Sequence, residues 1–276
     1  MLTVLFIITI IILLIPLLYV LSVMPRILNR PNYSIFYNQL FAHRGLHDIY
    51  PDSPENSMAA FALAVHHGFG IELDVHLTKD DIPVVFHDDN LYRICGVNQM
   101  LRDFTYEELQ QFELCNTRER IPRLQDVLDL VKGQVPLLIE YKVEHNAKKL
   151  CSISNDLLTN YCGTYCIESF HPFALYWYKR NRPDIVRGQL SSNFLAEKKT
   201  VSHFLLTHLI GNFYGAPDFI AYNCLYKEEF TRRLCRKFFR TPSFAWTVKS
   251  HEQMKNCKKD FDSFIFESFI PSIENN

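Results

Sequence analysis

From residue 39 onward, short runs of apolar and β-branched side chains alternate with stretches of helical period. No other feature of the sequence constrains the fold as tightly. The runs fall at 39–42, 70–77, 82–86, 136–141, 165–170, 186–190, 218–221, 243–248 and 263–266. Amphipathic stretches at 57–67, 124–132, 148–161, 171–180, 195–212, 228–239 and 251–259 lie between most of them. Alternation of this kind predicts a parallel sheet covered by helices, open or closed into a barrel. The gap between 77 and 83 is too short for a parallel crossover, which takes about a dozen residues. The runs 70–77 and 82–86 therefore pair as an antiparallel hairpin, and eight strands remain for the parallel sheet. With Asp80-Asp81 as a two-residue turn, residue 79 pairs with 82 and Asp74 faces His87, so that 72, 74, 85 and 87 share one face. A single (β/α)8 barrel of roughly 250 residues nearly exhausts the 276 available. At 48% hydrophobic and 21% charged residues, the chain has enough apolar material for a full core.

The first 25 residues stand outside that pattern. Positions 2–24 carry no charged side chain, and Thr9, Pro16 and Ser22 are the mild exceptions to an apolar run long enough to span a bilayer. No basic residue precedes the run and no small-residue cleavage site follows, which favours an uncleaved anchor over a signal peptide. Arg26 and Arg30 come directly after it. The positive-inside rule then predicts a single-pass protein of the cell membrane with its body in the cytoplasm. The domain reading is an anchor at 1–25, a linker at 26–38 and a barrel at 39–276. Twenty-nine basic against 30 acidic side chains leave a net charge of −1, which excludes a body organised around nucleic acid. The eight cysteines form no C-x-x-C pair, so a structural zinc site is not expected, and scattered thiols suit a reducing compartment.

Three polar clusters interrupt the apolar runs. His43-Arg44-Gly45 follows the first strand, with Pro54-Glu55-Asn56-Ser57 opening the first barrel helix. A His-Arg pair supplies a proton carrier and a planar phosphate clamp together. Asn56 or Ser57 suits a helix cap, and Glu55 suits the helix dipole. Glu72 and Asp74, two apart on one strand face, are costly inside an apolar run unless a cation or proton shares them. His87 follows on the hairpin partner. Glu140 and Lys142 likewise share one face of a strand, either as a functional pair or as a structural ion pair within the barrel.

Taken together, these clusters resemble the glycerophosphodiester phosphodiesterase family. His43-Arg44, Glu72-x-Asp74 and His87 stand in that family's order and spacing, followed by Glu140-x-Lys142, Ser169-Phe170 and Trp246-Thr247-Val248. The resemblance covers about 40 to 270. It implies a (β/α)8 TIM barrel of the phospholipase-C-like phosphodiesterase type, with the site at the C-terminal mouth of the strands. It implies metal ligands at Glu72, Asp74 and Glu140, and an acid/base pair at His43 and His87. Phosphate contacts are implied from Arg44 and Lys142, with Phe170 and Trp246 in the substrate pocket. An all-carboxylate set suits Mg²⁺ or Ca²⁺ rather than zinc. Three departures stand out: Asp81 where the family often has Gly, Lys249 after Trp-Thr-Val, and Phe266-Glu267-Ser268 near the last strand. The latter two are expected at the rim, where they bear on substrate choice.

The function expected from this reading is metal-dependent hydrolysis of glycerophosphodiesters to glycerol phosphate and an alcohol. Two alternatives stay open: a membrane-anchored phosphodiesterase acting on lysophospholipids in the manner of a lysophospholipase D, and a non-catalytic anchored binding barrel. The alcohol group, the oligomeric state and the nucleophile (water or a substrate hydroxyl) are not fixed by sequence. On the helical stretch near residue 235, Phe230, Leu234 and Phe238 are expected to face the barrel, with Arg232, Arg233, Arg236, Lys237 and Arg240 outward, either as a solvated face or against anionic lipid.

Overall fold

The computed structural model describes residues 2–272. Nine strands form one sheet: β1 (Leu40–Ala42), β2 (Gly70–Leu77), β3 (Pro83–Val85), β4 (Leu137–Tyr141), β5 (Tyr165–Ser169), β6 (Arg187–Ser191), β7 (Phe219–Asn223), β8 (Ser243–Val248) and β9 (Ser263–Phe266). Their order is β1-β9-β8-β7-β6-β5-β4-β2-β3, and β1 also pairs with β2. That last pairing closes a barrel of eight parallel strands, with β3 attached only to β2 as an antiparallel flap. The expected TIM-type barrel is what the chain forms. The helices are α1 (Leu2–Ser22), α2 (Met58–His66), α3 (Tyr92–Cys95), α4 (Tyr106–Leu109), α5 (Leu124–Val131) and α6 (Ala147–Leu158), then α7 (Pro172–Asn181), α8 (Val201–Thr207), α9 (Asn212–Gly215), α10 (Phe230–Phe238) and α11 (His251–Cys257).

Period two along each strand divides two cores. Ile71, Leu73, Val75, Leu137, Ile139 and Ile167 point outward into the layer beneath the helices. Leu138, Cys166, Leu190, Phe219, Phe244 and Ile265 fill the lumen. Phe36, in the segment expected as a linker, is buried in that same lumen cluster, and Ser263 donates a hydrogen bond to its carbonyl. Tyr33 and Phe36 of this segment therefore pack against the lumen core. Arg26 donates to the Pro183 carbonyl and lies 3.7 Å from buried Asp218.

Three expectations are corrected. The hairpin is offset by one residue: Val75 pairs with Val85, and the Phe86 amide donates to the Asp74 carbonyl. The loop is three residues long, because Asp81 adopts a left-handed conformation (φ 65°) and the Thr78 amide reaches the Ile82 carbonyl. Val85 consequently packs outward with Val75. His87 approaches the carboxylates only because the chain has left the ladder by that point. The single helical stretch at 195–212 is broken, since the Thr200 side chain caps a new helix by accepting from the His203 amide and Leu209 takes φ 55°. Finally, α10 is rotated from its expected face. Arg232 is buried, donating to the Lys227 and Asp260 carbonyls and lying over the Phe261 ring. Thr231 and Cys235 share that inner face, while Phe230 and Phe238 are exposed. A guanidinium that finds backbone carbonyls and a ring face can take the inward position from a phenylalanine.

Candidate active site

The first strand ends at Ala42, and the His43 amide bonds to the Phe266 carbonyl of β9, so His43 sits at the C-terminal rim. Arg44 follows with φ 54°, which aims its amide at Glu72 Oε2 (2.8 Å). Gly45 then turns the chain at φ 81°, where a Cβ would meet Ala60 at 2.9 Å. The returning chain brings Glu55 and Asn56 over the mouth. Ser57 alone caps α2, accepting from the Ala60 amide. Asn56 instead donates to Asp74 Oδ2 at 2.8 Å, and Glu55 accepts from Arg44 at 2.9 Å.

Four carboxylates meet inside the barrel. Parallel register aligns Asp74 with Glu140 and Glu140 with Glu168, so all three project from one face, with Glu72 one layer below. Oxygens of Glu72, Asp74 and Glu140 lie within 4.8 Å of one another. Burial, then Asp74 and Glu140, push Glu72 well above the usual carboxylate range. Burial raises Glu140 to about 7 although Lys142 opposes it. Burial would also raise Asp74, but Lys142, His87 and Arg44 outweigh it and hold the group below its ordinary value. Glu168 is raised strongly by burial and by its acidic neighbours, and its Oε2 is buried without a hydrogen bond. Lys142 bridges Asp74 Oδ1 (3.0 Å) and Glu140 Oε1 (2.7 Å). So many buried, mutually repelling oxygens with one ammonium among them fit a hard divalent cation. The Glu72, Asp74 and Glu140 set contains no sulfur or imidazole donor, which argues against zinc.

Each expected histidine is braced by a carboxylate. His43 Nδ1 lies 2.5 Å from Glu267 Oε2, whose other oxygen takes Lys249 Nζ at 2.6 Å. His43 Nε2 points toward Glu72, 4.0 Å away. His87 Nδ1 lies 2.5 Å from Asp88. Arg93 holds Asp88 (2.6 Å) and Glu55 (2.7 Å) together. Burial lowers His43 to about 4 despite its bond to Glu267, and burial also lowers His87. Burial would raise Glu267, but the bond from His43 and the Lys249 charge hold it below the usual range. An Nδ1–H directed at a carboxylate leaves Nε2 free to accept a proton. The site therefore joins two oriented imidazoles, two cations and a cluster of acids at one mouth.

Glu168 and Glu267 were missed in the sequence reading as site residues. The first carried the same signal as Glu72, a lone acid in an apolar strand. The second was expected to act only at the rim, yet it holds His43. Beside the carboxylates lies a cavity of about 550 Å³. Glu140 and Lys142 stand at its polar end, and Phe170, Leu205, Leu206 and Ile210 line the rest. Phe170 lines this cavity, and the Trp246 ring packs against it edge to face at 5.6 Å.

Residues 43–261 match the model of the glycerophosphoryl diester phosphodiesterase family. Among curated proteins, the chain is similar to a glycerophosphodiester phosphodiesterase of Bacillus altitudinis, 38% identical over 39% of this chain and 46% of that protein. A glycerophosphodiester phosphodiesterase of Caldanaerobacter subterraneus subsp. tengcongensis is 32% identical over 57% of this chain and 68% of its own. A lysophospholipase D of Homo sapiens is 36% identical over 44% of this chain and 42% of its own. The chain spans about half the length of the Bacillus and human relatives. Among solved structures, an Oleispira antarctica phosphodiesterase in complex with the product sn-glycerol-3-phosphate superimposes with a TM-score of 0.68 at 24% identity, covering 85% of this chain and 94% of that one. A glycerophosphodiester phosphodiesterase from Thermotoga maritima gives 0.65 at 23% identity, over 83% and 94%. At these identities the structural likeness speaks to the fold.

Proposed function

The chain belongs to the glycerophosphoryl diester phosphodiesterase family, and on that footing we propose that it hydrolyses glycerophosphodiesters to glycerol phosphate and an alcohol. One observation carries the reading: three buried carboxylates share a space of 4.8 Å between two histidines, each held by its own acid. Glu72, Asp74 and Glu140 would hold Mg²⁺ or Ca²⁺, with Glu168 behind them. When bound, such a cation supplies Lewis-acid polarisation of the phosphoryl oxygens. Arg44 and Lys142 add positive charge where the phosphate's negative charge grows. His43, held neutral by burial and oriented by Glu267, takes a proton at Nε2 from the attacking group, water or a substrate hydroxyl. His87 is one-third exposed, exchanges protons with solvent and gives one to the leaving alkoxide. Phe170 packs against the substrate beside the acids and keeps bulk water from that side.

The apolar cavity favours a second reading within the same chemistry. Phe170, Leu205, Leu206 and Ile210 suit a hydrocarbon chain better than a small polar alcohol, which points to lysophospholipids. We also read α1 as a single membrane span, because it is long and apolar enough to cross a bilayer. With Arg26 and Arg30 following the span, the barrel lies on the cytoplasmic side.

The test is to reconstitute the full chain in nanodiscs and follow product release from glycerophosphocholine and from lysophosphatidylcholine. Activity on either diester that is lost in EDTA and regained with Mg²⁺ or Ca²⁺ supports the reading. Full activity in EDTA would remove the carboxylate cluster from the chemistry, and inactivity on both diesters would leave a binding barrel.

A further inference from the structure

We infer that the catalytic mouth of the barrel faces the bilayer, with α8 and the neighbouring loops seated in the lipid interface as the entrance for a lipid-borne phosphodiester. The inference rests on reading α1 as a membrane span and adds the direction in which the barrel hangs from it. Helices of a βα barrel begin at the C-terminal mouth of the strands and run away from it. α10 follows β7 and so starts at that mouth. Tyr19 Oη meets Thr231 Oγ1 at 2.6 Å, and the Tyr19 ring stacks on Phe230 at 6.4 Å. One turn on, the Val23 carbonyl accepts from Cys235 Sγ. Arg26 then bonds to the Pro217 carbonyl just before β7, and Arg30 to the Phe239 carbonyl just past α10. Residues 19–30 thus descend beside α10 from the mouth to the opposite end. The two helices point the same way.

The part of α1 that precedes Tyr19 must therefore project beyond the mouth. Residues 3–6 and 8–18 lie on the protein's outside, away from the barrel core. The 17 residues from Leu2 to Leu18 would reach about 25 Å at 1.5 Å per residue, close to the thickness of a bilayer core. A membrane crossed by that segment lies over the mouth, not beneath or beside the barrel.

The surface at the mouth suits such a neighbour. Val201 is 75% exposed and Leu225 72%, and Phe173, Phe204 and Phe230 are exposed as well. Each belongs to a loop or first turns that follow a barrel strand. The patch is continuous with the span: Tyr19 contacts Thr231, His208 bonds to Glu229 at 3.0 Å, and the Phe204 ring lies 4.5 Å from His208. Lys198 and Lys199, both exposed, precede α8 at the height of lipid phosphates. Apolar side chains beside lysines at the end of a span are the composition of an interfacial surface. Beneath α8, Leu205 and Leu206 form the wall of the cavity that ends at Glu140 and Lys142. A single-chain lipid can then pass from the bilayer to the acids with its tail covered throughout.

Tryptophan probes in the full chain, reconstituted in vesicles containing brominated phosphatidylcholine, test the arrangement against the unmodified protein. Leu13→Trp reports the span, Leu225→Trp and Phe230→Trp report the mouth, and Phe238→Trp reports the far end of α10. The expected result is strong bromine quenching at 13, 225 and 230 and none at 238. Quenching at 13 without excess quenching at 225 and 230 over 238 would overturn this inference and leave the anchor standing. Absence of quenching at 13 would overturn the anchor and the inference together. As a second readout, the double variant V201S/L225S should cut turnover of vesicle-borne lysophosphatidylcholine about tenfold. Its turnover of water-soluble glycerophosphocholine should stay at the parent level. An equal loss on both substrates, or on neither, would count against docking.

Discussion

Cation binding at the carboxylate cluster should be strongly linked to pH, and the structure sets the direction. Burial lifts Glu140 to about 7 in the cation-free protein, against about 4.5 when exposed. A carboxyl raised in this way adds stability that is complete below the unfolded value and is lost as pH rises through 7. The loss is about 3 kcal/mol across that window. Glu72 is raised too and acts with the same sign. His43 works against them: burial lowers it to about 4, so its penalty appears as pH falls from its ordinary value toward 4. The effects overlap with opposite sign, which makes the bare stability curve a poor test. A cation isolates the carboxylates, because it must displace the protons they hold.

The measurement is the rise in melting temperature of the full chain on adding excess Mg²⁺ or Ca²⁺, relative to EDTA, at pH 5 and pH 7. Counting the Glu140 proton alone, affinity rises by up to about tenfold per pH unit below 7. The step from pH 5 to pH 7 then corresponds to about 2 kcal/mol of added stabilisation. For a chain of this size the cation-induced rise should be about 4–8 °C larger at pH 7 than at pH 5. Glu140→Gln should shrink that difference to the part that Glu72 carries. An equal rise at both pH values in the parent protein would mean that Glu140 does not hold the cation, whatever its position.

The remaining predictions concern the imidazoles and the topology. His43→Ala and His87→Ala should each lower kcat by about 10²–10⁴-fold with KM little changed, and a change confined to KM would reduce both to substrate contacts. Glu267→Gln should lower kcat by about tenfold or more and move the limb of the pH–rate profile that His43→Ala removes, whereas a merely structural Glu267 would leave the profile in place. Cys115 and Cys162 are exposed on the barrel; with the barrel in the cytoplasm, a membrane-impermeant maleimide should label them only after cells are opened. Labelling in sealed cells would reverse the orientation.

What the sequence allowed, and what it hid, follows from which forces leave a trace in residue pattern. All nine strands were legible because strands buried on both faces read as apolar runs, and Glu72, Asp74 and Glu140 stood out as the acids such runs cannot tolerate unaided. The hairpin followed from chain length alone, but its register hung on one backbone angle at Asp81, an aspartate in a conformation commoner for glycine. Glu55 and Asn56 read as a helix start because Ser57 beside them is one. Their true partners, Arg44 and Asp74, lie across the mouth and leave no periodic signal. Glu267 was invisible as a support for His43 for the same reason: the bond joins residues 224 apart. The failure at α10 is the most instructive. Periodicity offered one stripe of Phe230, Leu234 and Phe238 and a second carrying Arg232, and hydrophobicity alone chose the first. The protein buries Arg232 because carbonyls of Lys227 and Asp260 wait for it, and leaves Phe230 to meet Tyr19 outside. Two carbonyls inside and a tyrosine ring outside decide which stripe turns inward, and no pattern within a single helix can reveal them.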